Sequence, residues 1–209
     1  MTKLIKLVII LILLVEEDIV PKNMVSEESI IETSALIANK IGLENLSLKI
    51  IADELNVKSP SLYNHISSLD DVKNKLMVYG WKQLENKMID SAVGVTGYEA
   101  LNNMSNVFYD YAINNTGVFM AMLWYNKYDS IEKDNATKRL FNILFKIMKT
   151  LNISDDNINH IIRTLRGFLE GFCLLVNNNA FGNPISIKES FDLSLKIIIN
   201  GIKTLEGVK

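Results

Sequence analysis

From Ser26 onward, apolar residues recur every three or four positions along nearly the whole chain. Ile30, Ile31, Ala35, Ala38 and Ile41 form the first such stripe, preceded by Ser26-Glu27-Glu28 and followed by Gly42. A serine can cap the free N–H groups of a first turn, acids there suit the helix dipole, and glycine accepts the left-handed stop. These signals predict a helix between Ser26 and Gly42. Ser47 opens a shorter segment, Leu48 to Leu55, with Ile51, Ala52 and Leu55 on one face, and Asn56 suits a left-handed turn. Ser59-Pro60 opens a third helix, serine as cap and proline at its first position, with Leu62, Tyr63 and Ile66 as core contacts. Leu69-Asp70-Asp71 begins a longer helix that runs to about Asp90.

Residues 91–97 (SAVGVTG) lose the helical period and carry two glycines, which marks an internal boundary. Further helical stretches follow at Tyr98–Asn115, Gly117–Tyr128, Glu132–Leu151, Ser154–Asn178 and Ser186–Leu205, separated by Asn-, Gly- and Pro-bearing turns. The expected fold is all-α. A three-helix N-terminal domain over 24–80 precedes a larger helical domain over 81–209. Leu4 to Val15 stands apart: it is apolar except for Lys6 and stops at Glu16-Glu17-Asp18. A membrane-spanning helix needs about 20 apolar residues, and a signal peptide needs small residues at its cleavage site. Residues 1–23 are therefore read as an extension, either packed on the body or upstream of a working start at Met24. The second reading is favoured because the architecture is complete from there. A membrane-tethered form is the minor alternative, and no stable membrane partner is expected.

Residues 46–66, LSLKIIADELNVKSPSLYNHI, place two short helices around a tight turn. Ala52 sits where the helices approach, Asn56 makes the turn and Val57 plugs the gap beneath it. The second helix then exposes Lys58, Ser59, Ser61, Asn64 and His65 opposite Leu62 and Ile66. This is the arrangement of a helix-turn-helix, in which small polar residues reach base edges and Lys49 and helix N-termini meet phosphates. The blander alternative makes Leu62 and Tyr63 the core of a generic helical hairpin.

The stretch IADELNVKSPSLYNHISSLDDV resembles the TetR/AcrR family of transcriptional regulators, and Pro60-Ser61-Leu62-Tyr63-Asn64-His65 is similar to the version in the tetracycline repressor branch. The resemblance covers about residues 26 to 80, and Arg166 to Phe172 (RGFLEGF) resembles one C-terminal variety of the family. It implies that Lys49, Lys58, Ser59, Pro60, Ser61, Tyr63, Asn64 and His65 face DNA. In that reading Tyr63 and His65 lie mostly on phosphate, whereas Ser59, Ser61 and Asn64 lie nearer the bases. The sequence departs from the family at Leu69, where a phosphate-binding lysine is common; Lys73 and Lys75 are the nearby candidates to replace it. Asn56 also stands in place of the usual turn glycine.

Charge qualifies this picture. The chain has 22 Lys+Arg against 24 Asp+Glu, and residues 24–90 carry seven lysines and ten acids, a net charge of −3. A nonspecific grip on phosphate needs a basic footprint, so modest and strongly salt-sensitive binding is expected. The single cysteine, Cys173, lies among Phe172, Leu174 and Leu175, which suits packing rather than nucleophilic chemistry. With one cysteine there is no internal disulfide, and a cytoplasmic location is expected. His160 reads as a partly exposed helical residue. No phosphate loop and no metal-spaced cluster is present in the sequence, so neither an enzyme nor a cofactor is expected.

The C-terminal half is dense in aromatic and methionine residues. Most must be core, yet a ligand-controlled regulator needs a mostly apolar cavity with a few polar groups. Tyr111, Phe119, Leu123, Trp124, Tyr128, Phe145, Phe168 and Phe172 are the candidate ligand contacts, with Asn103 and Arg163 as further polar handles. Ile161, Ile162, Leu165, Phe168, Leu195, Ile198, Ile199 and Ile202 on the last two helices are candidates for a two-fold interface, with single-chain packing as the alternative. The expected function is that of a homodimeric regulator, a repressor released from double-stranded operator DNA by a small-molecule inducer. The alternatives are a helical adaptor of the same fold without DNA binding, and an enzyme using the C-terminal pocket.

Overall fold

Ser26 starts the first helix. Its hydroxyl accepts the Ser29 N–H at 3.1 Å while Ser29 Oγ accepts the Ser26 N–H at 3.0 Å, a reciprocal cap. The computed structural model describes residues 25–123 and 131–207; the apolar extension at residues 1–23 lies outside them. Helix α1 (Glu27–Ile41) buries Ile30, Ile31, Ser34, Ala35, Ile37 and Ala38 and ends at Gly42, whose φ of 89° excludes most side chains. Ile41, expected in the buried stripe, is instead exposed. Ser34 is tolerated in the core because its hydroxyl donates to the Ile30 carbonyl at 2.7 Å.

After a 3-10 turn (Leu43–Asn45) come α2 (Leu48–Glu54), capped by Ser47, and α3 (Ser59–Leu62). The cap of α3 is Lys58, not Ser59, and Pro60 occupies the second helical position. A first-turn N–H has no intrahelical partner anyway, so proline fits there as well as at the first position. Helix α4 (Leu69–Ser91), capped by Ser68, is among the longest in the described residues. Then follow α5 (Gly97–Asn114), α6 (Thr116–Met122), α7 (Ile131–Lys149), α8 (Asp155–Asn177) and α9 (Ile187–Lys203), so the described residues are all-helical, as expected.

Helix α4 touches both halves of the molecule, packing on α1 at one end and on α5, α6 and α7 along the rest. One hydrophobic cluster runs through the molecule, from Ile30 and Leu62 past Leu76 and Leu84 to Leu165 and Ile202. Two glycines permit its closest helix contacts. A Cβ at Gly80 on α4 would stand 2.7 Å from Val118 Cγ1, and one at Gly117 on α6 would stand 2.0 Å from the Ala38 carbonyl oxygen on α1. Asn39 closes the same seam: its Oδ1 accepts the Val118 N–H at 3.0 Å and its Nδ2 donates to Asn115 Oδ1 at 3.2 Å.

Candidate nucleic-acid interface

The turn between α2 and α3 is built by backbone geometry. The Leu55 N–H donates to the Ile51 carbonyl at 3.0 Å, Asn56 takes a left-handed φ of 54°, and the Val57 N–H returns to the Ala52 carbonyl at 2.9 Å. Ala52 is completely buried, which lets the two helices approach. Leu62 at the end of α3 and Ile66 just beyond it are buried in the core, held in register by the Ile66 N–H donating to the Leu62 carbonyl at 3.1 Å. The rest of that surface faces outward. Lys49, Lys58, Pro60, Tyr63, Asn64 and His65 are exposed, and Ser59 and Ser61 are half-exposed. Tyr63, at 57% exposure, is too open to be a core residue, which removes the generic-hairpin role for its ring.

Lys49 and Lys58 make no ion pair among the described residues, so their charges face solvent. Lys75 differs. Its Nζ lies 2.9 Å from Glu27 Oε2 and 3.8 Å from Asp71 Oδ1, tying α4 to α1. Asp71 also accepts the Ser67 N–H at 2.8 Å. Lys75 is therefore committed to two acids, which makes it a poor replacement for the phosphate lysine missing at Leu69. Leu69 itself is half-buried in the first turn of α4. Glu85, one of the ten acids, is buried on α4, 3.4 Å from Arg139 Nε but without hydrogen-bond geometry. Burial raises its pKa and Arg139 opposes the rise.

Behind this surface, α4, α5, α7 and α8 enclose a cavity of about 300 Å³. Trp81 and Met88 come from α4, and Leu101, Met104, Ser105 and Phe108 from α5. Thr137, Leu140, Phe141 and Leu144 come from α7, while Ile162, Arg163, Leu165, Arg166 and Leu169 come from α8. Arg163 was legible as a polar handle; Ile162 and Leu165 were expected at a two-fold interface instead, and the other wall residues were not singled out as ligand contacts. Its signal lies in the period: Leu101, Met104 and Phe108 fall on one side of α5, as do Leu165 and Leu169 on α8.

The described residues among those named as ligand contacts sit around this wall rather than in it. Phe119 is buried behind Phe108, edge-on at 6.0 Å, and Phe145 stacks on Phe141 at 6.2 Å. Phe168 and Phe172 turn toward α9, each with its ring 5.5 Å from Phe191. Tyr111 is buried at the α1–α4–α5 junction, beside Tyr79 and Asn115, where burial raises its pKa. Leu123 ends α6, half-buried against the core; Trp124 and Tyr128 lie outside the described residues. Of the other polar handles, Asn103 donates to the Ser91 carbonyl at 3.3 Å. Cys173 is buried and its thiol is pushed up to about 12, so it is not a nucleophile at neutral pH. His160 is exposed. Among the described residues no group of three His, Cys, Asp or Glu could hold a metal ion, and no helix is long and apolar enough to cross a membrane.

Comparison with known proteins agrees with this two-part design. The chain is 29% identical over 184 residues to YobS, an uncharacterized HTH-type transcriptional regulator of Bacillus subtilis, covering 87% of this chain and 95% of that protein. A TetR variant from Acinetobacter baumannii in complex with minocycline has a TM-score of 0.70 at 12% identity, over 88% of this chain and 99% of that one. SCO7222, a TetR from Streptomyces coelicolor, has a TM-score of 0.69 at 12% identity, over 87% and 99% of the two chains. At such identity the structural likeness shows the fold. Residues 101–198 match the family described as tetracyclin repressor-like, C-terminal domain. With a helix-turn-helix at its N-terminal end and a stretch matching that domain behind it, the chain is similar in both parts to the TetR family of transcriptional regulators.

Proposed function

We propose that the protein is a dimeric repressor whose two helix-turn-helix units grip operator half-sites and whose cavity takes the inducer. One observation carries this reading: α4 is a single uninterrupted helix that packs on α1 of the helix-turn-helix unit at one end and puts Trp81 and Met88 in the cavity wall. An occupant that shifts α4 must move the reading head with it. It releases DNA only if it binds the released conformation more tightly than the DNA-bound one.

Half-sites one helical turn apart, about 34–36 Å, call for two recognition helices related by a two-fold axis. The surface of α8 and α9 offers a place to join. Leu175, Leu193 and Ile197 are exposed at 45%, 60% and 62%. They continue two lines of small residues, Gly167 and Gly171 on α8 and Gly201 on α9, each with open space where a Cβ would stand. Glycine lets helices from two copies approach closely, and leucine and isoleucine supply the apolar area. Most residues first considered for this role, Ile161, Leu165, Leu195, Ile199 and Ile202, are buried within the chain itself, so the interface falls one helical face further round.

The negative charge of residues 24–90 and the engagement of Lys75 favour a second reading, an adaptor that keeps the fold without binding DNA. A titration against DNA from immediately upstream of the gene, at two salt concentrations, separates them. The repressor binds a palindromic site tightly, more weakly at the higher salt, and Tyr63→Ala loses the binding while its melting temperature is unchanged. No preference over random DNA at low salt would establish the adaptor.

A further inference from the structure

The four helices around the cavity do not contribute alike. Those from α4, α5 and α7 supply apolar side chains apart from two hydroxyls, Ser105 and Thr137, and Ser105 already donates to the Leu101 carbonyl at 2.7 Å. Helix α8 adds two arginines one turn apart, Arg163 and Arg166, and the described wall contains no carboxylate. The two arginines stand in different states. Arg166 is held: its Nε lies 2.7 Å from Glu170 Oε1, and its guanidinium carbon is 5.8 Å from the centre of the Trp81 ring. Arg163 makes no ion pair among the described residues and is exposed beside the cavity.

From this asymmetry we infer that the cavity selects an amphipathic anion, an apolar body inside the helices with a single carboxylate-like head on Arg163. This rests on the cavity being the effector site. A guanidinium offers a planar fork of N–H donors that matches a carboxylate in two parallel hydrogen bonds. Arg166 contributes charge but keeps Glu170, so the new partner goes to Arg163. A cationic ligand is disfavoured by Arg163, which faces no acid among the described residues. The indole of Trp81, the ring type best suited to hold a cation, is already covered by Arg166. The occupant is therefore an aliphatic or aromatic acid.

Three probes of equal length, decanoate, decanol and decylamine, test this by calorimetry against the full-length wild type, Arg163→Gln and Arg163→Lys. The expected result is that decanoate binds at least tenfold tighter than decanol and decylamine binds weakest. Arg163→Gln then loses about tenfold for decanoate and nothing for decanol, and Arg163→Lys falls between. Because Arg163 is exposed, neither variant should alter the melting temperature. If decanoate and decanol bind equally, or Arg163→Gln leaves decanoate affinity unchanged, the selection of an anion is overturned while the cavity stands as an effector site. If none of the three binds, both the anion assignment and the effector site fall.

Discussion

Asn56 occupies the left-handed region at φ 54°, in the turn between α2 and α3. Most L-residues lose about 1–2 kcal/mol there, and asparagine is among the few that visit it readily. Asn56→Ala should lower stability by about 1 kcal/mol, a fall of roughly 2–4 °C in melting temperature for a chain of this size. Asn56→Gly should move it by less than half as much. Equal melting temperatures for all three would mean that the turn does not need its left-handed residue. At the same scale, Lys58 is exposed, and the proposed function gives it a role of charge alone. Lys58→Ala should weaken all DNA sequences alike and reduce the slope of log affinity against log salt by roughly 1 per subunit, read from binding isotherms. A change confined to one operator sequence would instead make Lys58 a base reader. These residues were legible because their reasons are local: a turn, a cap and a buried–exposed alternation all complete within residues 47–66.

At the scale of elements, the seam between α1 and α6 is the tightest contact between the DNA-facing unit and the C-terminal helices. The missing Cβ of Gly117 leaves room for the Ala38 carbonyl, and Asn39 bridges to Asn115 and Val118 beside it. Backbone cannot yield as the end of a long side chain can. Gly117→Ala should therefore force the helices apart and cost about 1–3 kcal/mol in denaturant unfolding. An unchanged midpoint would show that the seam is compliant and that α4 alone couples the two parts. Helix boundaries were readable from caps and turn residues, including Ser26, Ser47 and Ser154. Contacts such as Gly117 on Ala38 were not, because a glycine near a helix start has the same local signature whether or not another backbone lies against it.

For the whole molecule, the exposed Leu193 and Ile197 on α9 give assembly a testable place. Replacing both with glutamate should convert a dimer to a monomer in sedimentation velocity without loss of helix content. Affinity for a palindromic site should fall with it, since two linked reading heads bind far better than one. Persistence of the dimer would move the interface elsewhere on the surface. The prediction differs from one drawn from sequence because apolar residues on α8 and α9 serve two purposes. Ile161, Leu165 and Ile199 fill the chain's own core, whereas Leu175, Leu193 and Ile197 remain outside. Hydrophobicity marks both sets identically.

The all-α fold and the exposed face of the helix-turn-helix were determined by the sequence on its own, through helix period, caps and one turn, all of which act between residues a few positions apart. The cavity was decided by tertiary structure. Its wall draws on four helices, from Trp81 to Leu169, and the phase with which each helix meets the others chooses which side chains enter it. Phe168 and Leu169 are chain neighbours on α8, yet Phe168 stacks on Phe191 of α9 while Leu169 lines the cavity. About 100° of helical rotation separates one residue from the next. Which direction is the interior depends on partners far along the chain, and no local pattern records where they lie.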